Sequence, residues 1–258
     1  MSDINWLGLA TLYKREVWRF LKVMNQTLLA PVITTLLFLA VLSLSIGGKA
    51  DRVMDGSVPY KNFIAPGLIM MAVVQNAFAN TSSSLMLSKI QGVIIDILMP
   101  PLSGTEITFA LTMGGVTRGL MVGIVVSCAV FLFVPFSVHD WGAAVFYVLA
   151  SSLMLALLGL LTGIWSQTFD QLSAITNYII TPMSFLSGTF YSIHQLPHVF
   201  YLICHFNPFF YMIDGFRYAL TGYSDGSIET GVIVMVVTNI ALWLLAQRLI
   251  NRGYRLKT

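Results

Sequence analysis

The sequence predicts an all-α membrane protein with six transmembrane helices, and three observations carry that prediction. First, 57% of the 258 residues are hydrophobic and only 10% are charged, against roughly 25% charged in a soluble domain. Second, several apolar runs of about 20 residues recur, each long enough for a hydrocarbon core of about 30 Å. Third, Lys and Arg gather at the two ends: Lys14, Arg15, Arg19 and Lys22 precede the first run, and Arg248, Arg252, Arg255 and Lys257 follow the last. The positive-inside rule puts both ends in the cytoplasm, which requires an even number of crossings. The runs are continuous rather than alternating, which argues against a β-barrel.

Residues 4–22 read as an amphipathic helix lying on the membrane. Trp6, Leu9, Tyr13, Val17 and Phe20 recur at three- and four-residue spacing, with Lys14, Arg15 and Lys22 off that stripe. This polar, amphipathic start differs from a cleaved leader, whose apolar region begins earlier.

The first span covers about 27–46, with Pro31 in its early turns and Gly47-Gly48 at its end. Lys49–Lys61, containing Asp51, Arg52 and Asp55, reads as an outside loop. The second span, about 62–83, is polar in its later half: Gln75, Asn76, Asn80, Thr81, Ser82 and Ser83. Polar side chains at such depth face another helix or an aqueous path, and the sequence leaves both readings open.

Residues 84–101 interrupt the spans on the cytoplasmic side. Lys89, Gln91 and Asp96 make them too polar to cross, and Pro100-Pro101 stops any helix. A short amphipathic helix with a sharp stop suits a mechanical contact. Ser103 and Glu106 then have capping-box spacing.

The third span lies within 105–133. Arg118 is the one basic residue deep in a run, and it either serves function or snorkels to headgroups. A short outside turn precedes the fourth span, about 142–165. Thr168 and Gln171 repeat the capping-box spacing before the fifth, about 172–190, which carries Asn177 and Pro182. Residues 191–224 are rich in aromatics and broken by Pro197 and Pro208, so they enter the outer leaflet and return or lie along it. The sixth span covers about 230–248.

Chemistry of other kinds finds little support. The basic residues hug the membrane borders, so the net charge of +3 is no nucleic-acid signal. No phosphate-cradling loop occurs. His194, His198 and His205 invite a metal reading, but interfacial histidines explain them as well. Cys128 and Cys204 sit at different depths, which disfavours a disulfide. No nucleophile–base set supports hydrolysis. A channel or proton-coupled carrier working without an ATPase is the competing function, although the spans lack a titratable relay beyond Arg118.

The motifs in the C-terminal third are the most specific. Phe185-Leu186-Ser187-Gly188-Thr189-Phe190-Tyr191, Leu196-Pro197, Asn207-Pro208 and Asp214-Gly215-Phe216-Arg217 occur in that order. Phe63-Ile64-Ala65-Pro66-Gly67 and Leu98-Met99-Pro100-Pro101 precede them. Over essentially its whole length the chain resembles the permease subunit of ABC-2 type transporters, in a bacterial inner-membrane group that includes nodulation-type lipo-oligosaccharide exporters. The resemblance implies a single domain of the type V exporter kind over 1–258, paired with a second copy and with two ABC ATPase subunits that hold the ATP and Mg. It implies export of an amphipathic, lipid- or glycan-containing or hydrophobic substrate across the bacterial cytoplasmic membrane. On this reading, 4–22 is a connecting helix, 84–101 a coupling helix and 191–224 an outer re-entrant region. Lys14, Arg15, Arg19, Lys89, Gln91, Gly92 and Asp96 are the expected ATPase-coupling residues. Gln75, Asn76, Asn80, Asn177 and Arg118 are expected on the substrate path, and Phe209, Phe210 and Tyr211 at its outer gate.

Overall fold

The computed structural model describes residues 4–45 and 58–255. The Gly47-Gly48 terminator, most of the expected outside loop and Lys257 lie outside the described residues. Helices make up the fold: α1 (Trp6–Leu21), α2 (Met24–Ser45), α3 (Tyr60–Ile90), α4 (Ile94–Leu98), α5 (Gly104–Phe131) and α6 (Trp141–Trp165). After these come α7 (Phe169–Ile175), a π-helix (Thr176–Ile180), α8 (Thr181–Phe185), α9 (His198–Phe206), α10 (Pro208–Thr221) and α11 (Ile228–Asn251). Among the described residues, α2, α3, α5, α6 and α11 are long and apolar enough to cross a membrane.

The expected fifth span is built differently. It is one helical run in three pieces of seven, five and five residues. Residues 169–185 therefore extend about 25 Å at 1.5 Å per residue, shorter than the other five. Pro182 explains the break. It has no N–H to donate and its ring crowds the carbonyl four residues back, and the π-turn before it absorbs both effects.

Local chemistry sets the boundaries. Ser103 and Glu106 form a complete capping box at α5. Gln171 N–H donates to Thr168 Oγ1 at 3.3 Å at the start of α7. Asn207 accepts from Phe209 N–H at 3.0 Å while Pro208 takes the first turn of α10, where no N–H is needed. Gly222 ends α10 in the left-handed region at φ +74°.

Helix α3 is the axis of the bundle, with most of its residues buried. Two glycine pairs let its neighbours approach closely. A Cβ on Gly115 or Gly119 of α5 would lie 3.0 Å from Ala77 O or 3.2 Å from Val73 O. One on Gly159 or Gly163 of α6 would meet Phe78 O at 2.5 Å or Ser82 O at 3.2 Å. These small-x-x-x-small pairs are the packing device available where lipid removes any hydrophobic drive between helices.

Both ends of the described chain lie at one end of the bundle. Asn5 N–H donates to Glu106 Oε1 at 2.6 Å, and Gln247 Nε2 donates to Thr105 Oγ1 at 2.7 Å. The C-termini of α3 and α6 are also there, joined by Lys89. At the opposite end, His139 N–H donates to Ala219 O at 2.9 Å and Tyr147 Oη donates to Ile228 O at 3.1 Å. The chain therefore passes from the first end to the second between Trp165 and Ile228.

Candidate functional site

A cavity of about 570 Å³ follows one side of α3, closed by α2, α5 and the 185–190 turn. Its lining on α2 runs from Gln26 to Phe38, about 18 Å along that helix at 1.5 Å per residue. A second cavity of about 370 Å³ lies between α3 and the 169–185 run. Gln75 lines both. It is exposed on a helix that is otherwise mostly buried. The two cavities thus make one groove, with the Gln75 edge of α3 as its floor and α2 and the broken helix as its walls.

The structure brings Gln75, Asn76 and Arg118 together in the first cavity and puts Asn177 with Gln75 in the second. Arg118 points into the first cavity, donating to Asn76 Oδ1 at 3.0 Å. Asn76 in turn donates to Ala72 O at 2.9 Å. Asn80 departs from the expectation. It is buried and lines neither cavity, because its oxygens are taken by Arg19.

The cavity is polar at one end and aromatic at the other. At the first end, Arg19 Nη2 donates to Asn80 O at 2.7 Å and Asn80 Oδ1 at 2.8 Å. Glu16, fully buried, pairs with Arg19 and with Arg15, each at 3.4 Å. Its Cβ fits against Gly114, where a side chain on α5 would collide with it at 2.6 Å. Burial lowers the Arg19 pKa from its ordinary value, and the Glu16 carboxylate opposes that shift. At the second end, the Phe185 and Phe190 rings stack at 5.4 Å and Phe38 lies 6.3 Å from Phe190.

Glu16 is a residue that the sequence reading missed. The buried stripe of α1 is Leu12, Glu16 and Phe20, and Trp6 from the expected stripe is 70% exposed. One signal was available: an acid flanked by arginines at i−1 and i+3 can be buried as a neutralised pair.

Several expected coupling residues sit elsewhere. Lys89 is buried at the end of α3, which continues to Ile90 instead of breaking near residue 84. Its ammonium donates to Gly163 O at 3.1 Å, Ile164 O at 2.9 Å and Ser166 O at 2.6 Å. It caps the end of α6. Gln91, Gly92 and Asp96 are exposed beyond it, as is Lys14 on α1. Gly92 turns the chain at φ +74°. Arg15 and Asp96 line one cavity of about 390 Å³ between α1 and the 96–102 segment.

The expected outer gate is also placed differently. Phe209, Phe210 and Tyr211 are buried inside the protomer, where Phe210 packs with Ile193, Cys204 and Tyr211. They line neither side of the groove. Their surroundings are organised by Arg217, which is completely buried. It donates to Phe63 O at 3.2 Å and to Gly188 O, pairs with Asp214 at 3.4 Å and Asp225 at 3.7 Å, and lies 3.8 Å over the Phe63 ring. The Phe63, Ser187-Gly188 and Asp214–Arg217 motifs are therefore parts of one structural pin. His205 binds Tyr201 O at 2.9 Å. No cluster of three or more metal-ligating side chains occurs among the described residues, and Cys128 and Cys204 are free.

A family profile described as ABC-2 type transporter matches residues 8–221. The chain is 38% identical over 258 residues to "Inner membrane transport permease YadH" of Escherichia coli strain K12, covering all of both chains. It is 23% identical over 261 residues to "Nodulation protein J" of Rhizobium leguminosarum bv. viciae, covering 97% of this chain and 95% of that one. A "Nodulation protein J" of Sinorhizobium fredii is 19% identical over 252 residues, covering 96% and 93%.

Proposed function

This chain belongs to the ABC-2 type transporter family and is a multi-pass membrane permease, and on that premise we propose that it is the membrane half of an ATP-driven bacterial exporter. Two copies work with two separate ABC ATPase subunits, which bind the ATP and Mg. The complex moves an amphipathic, lipid- or glycan-containing substrate out of the cytoplasm through a path between the copies. The observation that carries this reading is the groove at Gln75. A polar floor on an otherwise buried helix, walled by two peripheral helices, suits a surface completed by a second copy.

Six spans and an inner-membrane location with cytoplasmic termini follow from the same premise. Both described ends lie at one end of the bundle, which demands an even number of passes. Five long helices give an odd number, and the run at 169–185 supplies the sixth. Its break at Pro182 is tolerable where it borders a cavity instead of lipid. The basic residues of α1 and of the C-terminal end favour the cytoplasm for that side, and the name of the 38% identical relative agrees with an inner-membrane location.

The ATPase contact falls at the same end. Ile95 and Met99 are exposed on successive turns beyond Gly92, beside the cavity shared by Arg15 and Asp96. An apolar pair rimmed by charge suits a soluble partner's groove. Force applied there reaches the path through Arg15 to Ser88 and Arg19 to Asn80, both on α3.

Reconstitution in proteoliposomes tests the proposal against an ATPase-independent channel or proton-coupled carrier. The chain alone is expected to hydrolyse no ATP, and transport of an amphipathic probe to require the ATPase subunits and ATP. Transport by the chain alone, driven by a proton gradient or by diffusion, would overturn it.

A further inference from the structure

We infer that the α2–α3–α5 cavity binds the phosphate of an anionic lipid headgroup, held between Arg19 and Arg118. This deepens the exporter reading and rests on it. Two guanidinium groups line the cavity, and no carboxylate does. Arg118 has a neutral amide, Asn76, as its hydrogen-bonding partner, and forms no ion pair among the described residues. Arg19 shares Glu16 with Arg15. Two arginines thus share one acid, and Arg118 pairs with none among the described residues. Arg19 Nε and Arg118 Nε are buried with no acceptor among the described residues.

Charge left uncompensated within a membrane is costly and marks a place where a counter-charge arrives. A guanidinium presents a planar fork of donors, and phosphate oxygens match it in pairs. The shape of the cavity favours a lipid as the carrier of that phosphate. From the two arginines the lining continues past Thr34 to Phe38, Phe185 and Phe190, so an acyl or prenyl chain attached to the headgroup lies along the apolar end. Free phosphate uses only the first end.

The test uses the full chain in non-ionic maltoside, with three probes: dioctanoyl phosphatidic acid, dioctanoylglycerol and inorganic phosphate. The wild type is expected to bind the phosphatidic acid about tenfold or more tightly than the glycerol, the size of one lost charge-assisted contact. Arg118→Gln is expected to erase that preference and Arg118→Lys to keep part of it, since charge remains but the fork is gone. Inorganic phosphate is expected to compete at least about a hundredfold more weakly than the lipid, for want of the tail. Equal wild-type binding of the two lipids would overturn the inference without reference to any variant. So would a preference unchanged in Arg118→Gln and Arg19→Gln. Phosphate competing as well as the lipid would overturn the lipid assignment. Binding is read without the ATPase. Absent headgroup preference with intact ATP-driven transport therefore rejects this site and leaves the exporter reading standing.

Discussion

Arg19 of α1 donates to both the backbone and the side-chain oxygen of Asn80, at 2.7 and 2.8 Å. One guanidinium thereby fastens α1 to the helix that floors the groove. Arg19→Ala is expected to lower transport by roughly 2- to 30-fold, the range of a coupling change of 0.5–2 kcal/mol, while the complex still hydrolyses ATP. The ratio of substrate moved to ATP consumed checks this. A ratio equal to wild type would show that Arg19 transmits nothing.

Lys89 is expected to matter for stability and not for partner binding. Its ammonium caps three carbonyls at the end of α6. Lys89→Met removes the donors and is expected to cost about 2–3 kcal/mol, as for hydrogen bonds to a charged group. Thermal melting in detergent should fall by roughly 5–10 °C, with ATPase association of the folded fraction unchanged.

Arg217 is expected to be among the least replaceable residues. Arg217→Met leaves Asp214 and Asp225 buried without their cation, which costs about 3–5 kcal/mol. Arg217→Lys keeps the charge but cannot reach Phe63 O, Gly188 O and both carboxylates from one planar group. Yield of monodisperse protein should rank wild type, then Lys, then Met.

Gly92 and Met99 separate the shape of the 92–99 segment from its surface. No atom lies within 4 Å of a Cβ built on Gly92, so its φ of +74° is the constraint. Gly92→Asn should be tolerated, and Gly92→Val should cost about 1–2 kcal/mol locally and reduce coupled transport. Met99→Asp should weaken ATPase association in a pull-down and leave melting unchanged. Full association in Met99→Asp would move the docking surface elsewhere.

Much of the architecture is written in composition, and the exceptions have physical causes. Long apolar runs, capping boxes and the Asn207-Pro208 start can be read locally, because each depends on residues a few positions apart. Lys89 could not, since its partners are carbonyls more than 70 residues away, and a satisfied ammonium lets α3 continue where polarity alone suggested a break. Glu16 was missed because the reading of α1 followed its apolar stripe and its basic residues alone. Trp6 lies on the exposed side of that helix, while the protein side accepts a neutralised acid. The Phe209–Tyr211 cluster reads as a collar from aromatic content, and only the Arg217 network turns it inward. Gln75, Asn76, Asn177 and Arg118 stand out in the sequence because polar groups in apolar runs are costly. Their distribution over two cavities depended on packing.

Disulfide trapping between two differently tagged copies tests the shared groove most directly. In a background lacking Cys128 and Cys204, Gln75→Cys and Asn177→Cys are placed one in each copy and oxidised in membranes. Cross-linked dimers are expected, with a yield that changes when ATP is added to the complete complex and falls when amphipathic substrate is present. No cross-link in any nucleotide state, together with full transport by Gln75→Leu, would contradict a path between copies along α3.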